Sequence, residues 1–89
     1  MQPLNLAVLK LYAKTGEELC LRQVKERLKD DYGDMGSFND KNLTDVLLCG
    51  KENMFLDEVF YEINEDGKLD IFYKANEEQR KMINKYVPD

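Results

Sequence analysis

The stretch VFYEINEDGKLDIFY, residues 59–73, constrains the fold of this chain more than any other part of its sequence. Apolar and aromatic residues lie on both sides of a polar centre, NEDGK. Two local structures use glycine in such a setting: the turn of a β-hairpin, and a calcium-binding loop with carboxylates spaced around the glycine. The two alternatives imply different folds and different functions.

The calcium alternative fits the residues poorly. With Gly67 at position 6 of an EF-hand loop, Glu62, Asn64 and Asp66 occupy positions 1, 3 and 5. Position 12 is then Tyr73, where the site needs a bidentate glutamate, and position 1 is a glutamate in place of the shorter aspartate. The sequence therefore disfavours a metal site, and we expect no cofactor.

The hairpin alternative satisfies both register and turn chemistry. The predicted loop is Glu65-Asp66-Gly67, a type I turn followed by a left-handed residue, which is the position that glycine favours. The like-charged pair Glu62 and Asp70 is its one misfit. The register centred on Asp66 pairs apolar residues on one face and two phenylalanines on the other: Val59 with Tyr73, Tyr61 with Ile71, Ile63 with Leu69, and Phe60 with Phe72.

Four helices are expected around this hairpin, because apolar residues recur at helical spacing in four segments. Gly50 is a candidate stop for the third helix, and Asn76 with Gln79 forms a candidate capping box for the fourth. A short extended segment at residues 18–21 precedes the second helix. The sequence predicts one domain, residues 1–89, with helices at about 4–14, 21–32, 40–49 and 76–87 and the hairpin at about 57–74.

The first helix has more apolar surface than one face requires. Beside the stripe that begins at Leu4, a second stripe contains Leu6, Leu9 and Ala13. Either the helix is packed deeply inside the chain, or the second stripe contacts another subunit. A homodimer of the second kind would use Leu6, Leu9 and Ala13 together with Met82 and Tyr86 of the last helix.

Several absences argue against catalysis. The chain has no histidine, one serine and no glycine-rich phosphate loop, so no catalytic triad can be assembled and we expect no enzyme. Cys20 and Cys49 form no CxxC motif and are expected to be free thiols in the reducing cytoplasm. No apolar run is long enough to span a membrane, and the N-terminal segment lacks the basic start of a secretory signal.

The order helix, short strand, helix, helix, hairpin, helix resembles a winged helix-turn-helix domain. The segments LTDVLLCGKENMF and EDGKLDIFYKANEEQRKMI are similar to the stretch from recognition helix through wing to last helix in PadR-like and ArsR-like bacterial regulators. The resemblance implies an α+β fold that is mainly α, with a three-helix core, a β-hairpin wing and a final helix. It also implies double-stranded DNA as the partner of a transcriptional regulator.

Carried onto this chain, the resemblance assigns DNA contacts to the third helix and the wing, with support from the second helix. The candidate DNA-binding residues are Lys41, Asn42, Thr44, Lys68, Lys74, Arg22 and Lys25. The formal charge of −5 and the acidic residues beside Lys41 and Lys68 depart from the basic surface that DNA binding uses. The alternative is an acidic winged-helix module that binds a basic protein, as in effectors carried by phages or plasmids, with Phe60 and Phe72 as exposed aromatic contacts.

Overall fold

The structure, a computed structural model, describes residues 2–88 and has the winged-helix architecture. It is a mainly helical α+β fold in which four helices contribute to the core and a β-hairpin precedes the last of them. None of the described helices is both long enough and apolar enough to span a bilayer. The elements are α1 (Leu4–Thr15), β1 (Leu19–Cys20), α2 (Leu21–Tyr32), α3 (Asp40–Glu52), β2 (Asp57–Ile63), β3 (Leu69–Lys74) and α4 (Glu77–Tyr86).

The three strands form one antiparallel sheet with β3 in the middle, in the order β1-β3-β2. The predicted pairs Phe60–Phe72, Tyr61–Ile71 and Ile63–Leu69 are present, as is the like-charged pair Glu62–Asp70. The predicted pairing of Val59 with Tyr73 is wrong. A β-bulge between Glu58 and Phe60 shifts the register, so that Glu58 opposes Tyr73 and Val59 is the extra residue.

The hairpin turn closes as the sequence predicts. Gly67 has a φ of 75°, the left-handed conformation that glycine adopts without steric cost. The Asn64 amide donates to the Lys68 carbonyl at 2.8 Å, and the Asn64 side-chain oxygen accepts from the Asp66 and Lys68 amides at 2.9 and 3.0 Å. Asn64 therefore stabilises the turn with both its backbone and its side chain.

The third helix does not stop at Gly50, because it continues to Glu52. Gly50 is buried, and a Cβ at this position would lie 2.9 Å from the Cδ1 of Leu56 and 3.4 Å from the Cδ2 of Leu9. The helix ends one turn later, where Met54 takes a positive φ of 66°. Glycine at position 50 thus allows the close approach of Leu56 and does not end the helix.

The final helix begins at Glu77 because Asn76 is its N-cap. The predicted capping box is present, with reciprocal hydrogen bonds between Asn76 and Gln79. The Gln79 side-chain amide also donates to the Met54 carbonyl at 3.1 Å and to Asp57 at 3.0 Å. Gln79 therefore joins the start of α4 to the loop that leads into the wing.

Two buried or half-buried cations join α1 and α4, which run antiparallel. The Lys10 ammonium donates to Asn84 at 2.9 Å and to the Val87 carbonyl at 2.7 Å, at the C-terminal end of α4. Arg80 donates to the Ala13 carbonyl at 2.8 Å, at the C-terminal end of α1. The pairing continues to the first and last described residues, where the Gln2 side chain donates to the Pro88 carbonyl at 3.0 Å.

The second apolar stripe of α1, which contains Leu6, Leu9 and Ala13, packs within the chain. Leu9 and Ala13, two of the predicted subunit contacts, are buried within the chain. They contribute to the same core as the first stripe, because residues from α3 and α4 pack around α1. Leu6 is half-buried, and Met82 and Tyr86 remain exposed.

Phe72 is not the exposed aromatic that the sequence suggested, because only 7% of it is accessible. Its ring stacks on that of Phe60, with centroids 4.4 Å apart and planes 10° from parallel. Phe60 is exposed at the edge of the sheet and covers Phe72. The predicted cross-strand pair therefore buries one ring and exposes the other.

Candidate functional site

The wing and the helices α2 and α3 enclose a cleft of about 750 Å³, which we call the wing cleft. Helix α3 and the wing are the elements to which the family resemblance assigns DNA contacts. Apolar side chains from three elements contribute to its lining: Leu21, Leu47, Leu69, Ile71 and Tyr73. Eight charged residues also line it: Arg22, Lys25, Glu26, Lys29, Asp40, Asp66, Lys68 and Asp70.

The cations of α2 are paired with carboxylates at the wing cleft. Arg22 donates to Asp70 of the wing at 2.9 Å, and this hydrogen bond raises the pKa of the Arg22 guanidinium. Lys25 lies 2.6 Å from Asp40 at the start of α3. These ion pairs join α2 to the wing and to α3, and they offset the positive charge of both cations.

The candidate DNA-binding residues of α3 differ in their exposure and in their contacts. Lys41 and Thr44 are exposed, and Thr44 lines the wing cleft. Asn42 is half-buried, its amide bonds the Asn39 cap, and its side chain donates to the Ser37 carbonyl at 3.2 Å. Asn42 thus contributes to the loop before α3.

The two candidate DNA-binding residues of the wing, Lys68 and Lys74, also differ in position. Lys68 is exposed at the turn and lines the wing cleft, whereas Lys74 is half-buried at the base of the wing and opposes Asp57. The structure therefore brings Arg22, Lys25, Thr44 and Lys68 together around one cleft. Lys41, Asn42 and Lys74 lie outside its lining.

Helix α3 and the wing have a net negative charge, although four cations and four carboxylates balance in the lining of the wing cleft. Helix α3 contains three carboxylates and two lysines, and the segment 57–74 contains six carboxylates and two lysines. Together they account for a formal charge of −5, which equals the net charge of the whole chain. One of the α3 lysines, Lys51, also lies 3.6 Å from Glu58 of the wing.

The wing presents apolar side chains that the helices do not cover. Tyr61 is 69% exposed, Ile63 65% and Leu69 51%, and we call these three residues the apolar wing strip. They continue the sheet face on which Ile71 packs against the core, but lie farther along the hairpin. The period-two pattern of the sequence identified this shared face, but it could not show how far the helices extend beneath it.

A smaller groove of about 270 Å³ lies on another side, between α1, α3 and the end of α4. Leu6, Leu9 and Tyr86 are among its lining residues. The Tyr86 ring packs against Phe55 with centroids 5.4 Å apart. Of the predicted subunit contacts, only Leu6, Met82 and Tyr86 remain accessible in this region of α1 and α4.

Comparisons with known proteins support the fold. No family model matches the sequence, and no curated protein matches it. A crystal structure from Thermoplasma acidophilum, described as that of a candidate transcriptional regulator, superimposes with a TM-score of 0.68 at 17% sequence identity. The match covers 92% of this chain and 74% of the other, so the similarity extends over nearly the whole fold.

Proposed function

We propose that this chain is a winged-helix regulatory module of the cytoplasm that binds a basic protein surface through α3 and the wing. The observation that carries the proposal is the charge of −5 on these two elements. Duplex DNA carries a dense array of phosphates, and its binding relies on lysines and arginines that displace counterions. A surface with this charge repels phosphates and attracts lysine-rich or arginine-rich partners.

The second candidate is a DNA-binding regulator of the kind that the PadR-like and ArsR-like resemblance implies. Arg22, Lys25 and Lys68 around one cleft favour it. The ion pairs of Arg22 and Lys25 involve exposed cations, and such pairs contribute only about 0–1 kcal/mol, so phosphates could compete for them. A homodimer using Leu6, Met82 and Tyr86 would be needed to place two α3 helices on successive turns of DNA.

Fluorescence anisotropy with a labelled random-sequence duplex and a labelled lysine-rich peptide separates the two candidates. At about 50 mM NaCl, we expect saturable binding of the peptide and none of the duplex. Duplex binding whose log affinity falls steeply with log salt would favour the DNA candidate. In that case Lys41→Ala and Lys68→Ala should each reduce the salt slope by about one unit.

A pair of charge-matched variants tests whether the wing is the binding surface. The double change Glu62→Gln and Glu65→Gln removes two carboxylates from the wing, and Glu18→Gln with Glu78→Gln removes two from elsewhere on the surface. We expect the wing variant to weaken peptide binding and the other variant to leave it nearly unchanged. Equal losses would show that only the net charge of the chain matters.

A further inference from the structure

We infer that the partner binds as an added β-strand along the free edge of β2, and that its preferred segment alternates apolar residues with lysine or arginine. The inference rests on the proposed function, because it specifies how a basic protein would be held. Strand addition uses main-chain hydrogen bonds for affinity and alternate side chains for specificity.

The first observation is that β2 is an edge strand. Among residues 2–88 it pairs only with β3, and all seven of its residues are exposed. The Asn64 amide bonds the Lys68 carbonyl, which makes Asn64–Lys68 a hydrogen-bonded pair. Because hydrogen-bonded and non-bonded pairs alternate in an antiparallel ladder, Tyr61 and Ile63 direct their backbone N–H and C=O groups away from β3.

The second observation is the chemistry of the two faces at this edge. Tyr61 and Ile63 place large, exposed apolar side chains on one face of the sheet. Glu62 lies between them and directs its carboxylate to the other face. A strand with apolar residues beside Tyr61 and Ile63 and a cation beside Glu62 would match both faces.

The same features disfavour a second copy of this chain as the occupant. Pairing two β2 edges would bring the carboxylates of Glu58 and Glu62 near those of the other copy, and like charges on adjacent strands are destabilising. The bulge at Val59 bends the start of the edge and shortens its regular part. Charge and geometry thus select against self-pairing and favour a basic strand.

Amide hydrogen exchange measured by NMR tests the inference, with the peptide KVKVKVK as the probe. Saturation with this peptide should slow exchange of the Tyr61 and Ile63 amides about tenfold or more, because strand addition closes hydrogen bonds on both. The block peptide KKKKVVV and the proline-containing peptide KVKPKVK have similar charge and should give no such protection.

Two variants of one residue separate backbone pairing from side-chain contact. Ile63→Pro removes the outward N–H and leaves the ladder to β3 intact, and Ile63→Ala removes the side chain but keeps the N–H. We expect Ile63→Pro to weaken KVKVKVK binding about fivefold more than Ile63→Ala, the equivalent of one net hydrogen bond. Amide spectra of β3 should show that both variants keep the hairpin.

Each other outcome overturns the inference in an identifiable way. Binding of KVKVKVK with shifts on α3 and no protection of Tyr61 and Ile63 would reject strand addition and keep the proposed function. Binding of KKKKVVV but not KVKVKVK would have the same meaning, whereas failure of every basic peptide would reject both. Protection that grows with protein concentration in the absence of peptide would identify a second copy as the occupant.

Discussion

The two glycines Gly50 and Gly67 have different structural roles, although they are the same type of residue. The sequence predicted a chain-reversing role for both, Gly50 as a helix stop and Gly67 as part of the hairpin turn. Gly67 supplies a positive φ with no atom near its missing Cβ, and Gly50 supplies space for Leu56 inside a continuous helix. Periodicity predicted the third helix but ended it before Gly50, because the approach of Leu56 is a tertiary contact that no local pattern contains.

We expect Gly50→Ala to lower the free energy of unfolding by about 1–2 kcal/mol. The added methyl overlaps the buried Leu56 side chain, and overpacking outweighs the gain in helix propensity of at most about 1 kcal/mol. Urea denaturation measures the change. Gly36→Ala is the control, because no atom lies within 4 Å of its missing Cβ, and its effect should be neutral or slightly stabilising. A stabilised Gly50→Ala would contradict the close packing.

Gln79 and Gln23 give a second comparison, since both are the third residue of a capping box. Only Gln79 also bonds the Met54 carbonyl and Asp57. We expect Gln79→Ala to cost about 2–3 kcal/mol and Gln23→Ala about 1 kcal/mol, because the first removes two further hydrogen bonds in addition to the capping box. Thermal unfolding of the two variants would measure this difference. Equal losses would mean that capping alone accounts for the role of Gln79.

At the scale of the elements, α1 and α4 each supply a side-chain donor to a backbone carbonyl at the C-terminal end of the other helix. Lys10 donates to the carbonyl of Val87, the C-cap of α4, and Arg80 donates to the Ala13 carbonyl of α1. Lys10 is 6% exposed, which is unusual for a lysine and reflects these hydrogen bonds. The sequence placed Lys10 in a helix but could not assign its partner, because Val87 lies 77 residues away.

Lys10→Met should destabilise the fold by about 2 kcal/mol, because it keeps most of the volume but leaves the Val87 carbonyl without this donor. Lys81→Met, on the exposed side of α4, is the matched control and should change stability by no more than about 0.5 kcal/mol. Chemical denaturation of both variants provides the measurement. A Lys10→Met variant as stable as the control would show that the hydrogen bond contributes little.

Most of the hairpin could be predicted from the sequence, whereas its bulge and its contact with α2 could not. The NEDGK turn and the alternating apolar residues predicted the loop and three apolar pairs, because turn geometry and period two are local properties. The bulge at Val59 was missed, since nothing local to the strand marks an extra residue. The charge distribution was visible in the sequence, but the pairing of Arg22 with Asp70 depends on how α2 meets the wing.

For the whole molecule, charge and burial divide the fold into two parts. The core contains residues of the four helices, β1 and the base of β3, and β2 contributes no buried residue. The negative charge is concentrated on α3 and the wing, and the whole of β2 is exposed. Local stability should therefore decrease from the helices toward the hairpin tip.

Native-state hydrogen exchange in low guanidinium chloride should reveal this gradient. Amides near Val8 and Leu47, which are buried, should exchange only through global unfolding. The ladder amides of Phe60 and Glu62 should exchange through local opening, at free energies lower than the global value. Equal exchange free energies in the helices and the wing would contradict the gradient and indicate one cooperative unit.

The hydrogen bond between Gln2 and Pro88 also bears on chain connectivity. It joins residues 86 apart in sequence, and the α1–α4 contacts near it span similar distances. A short Gly-Ser linker across these neighbouring ends, with new ends opened at Gly36, would give a circular permutant in which α4 leads directly into α1. Contacts that now join the two ends of the sequence would become local, and lower contact order speeds folding, so the permutant should reach the same structure faster than the parent chain.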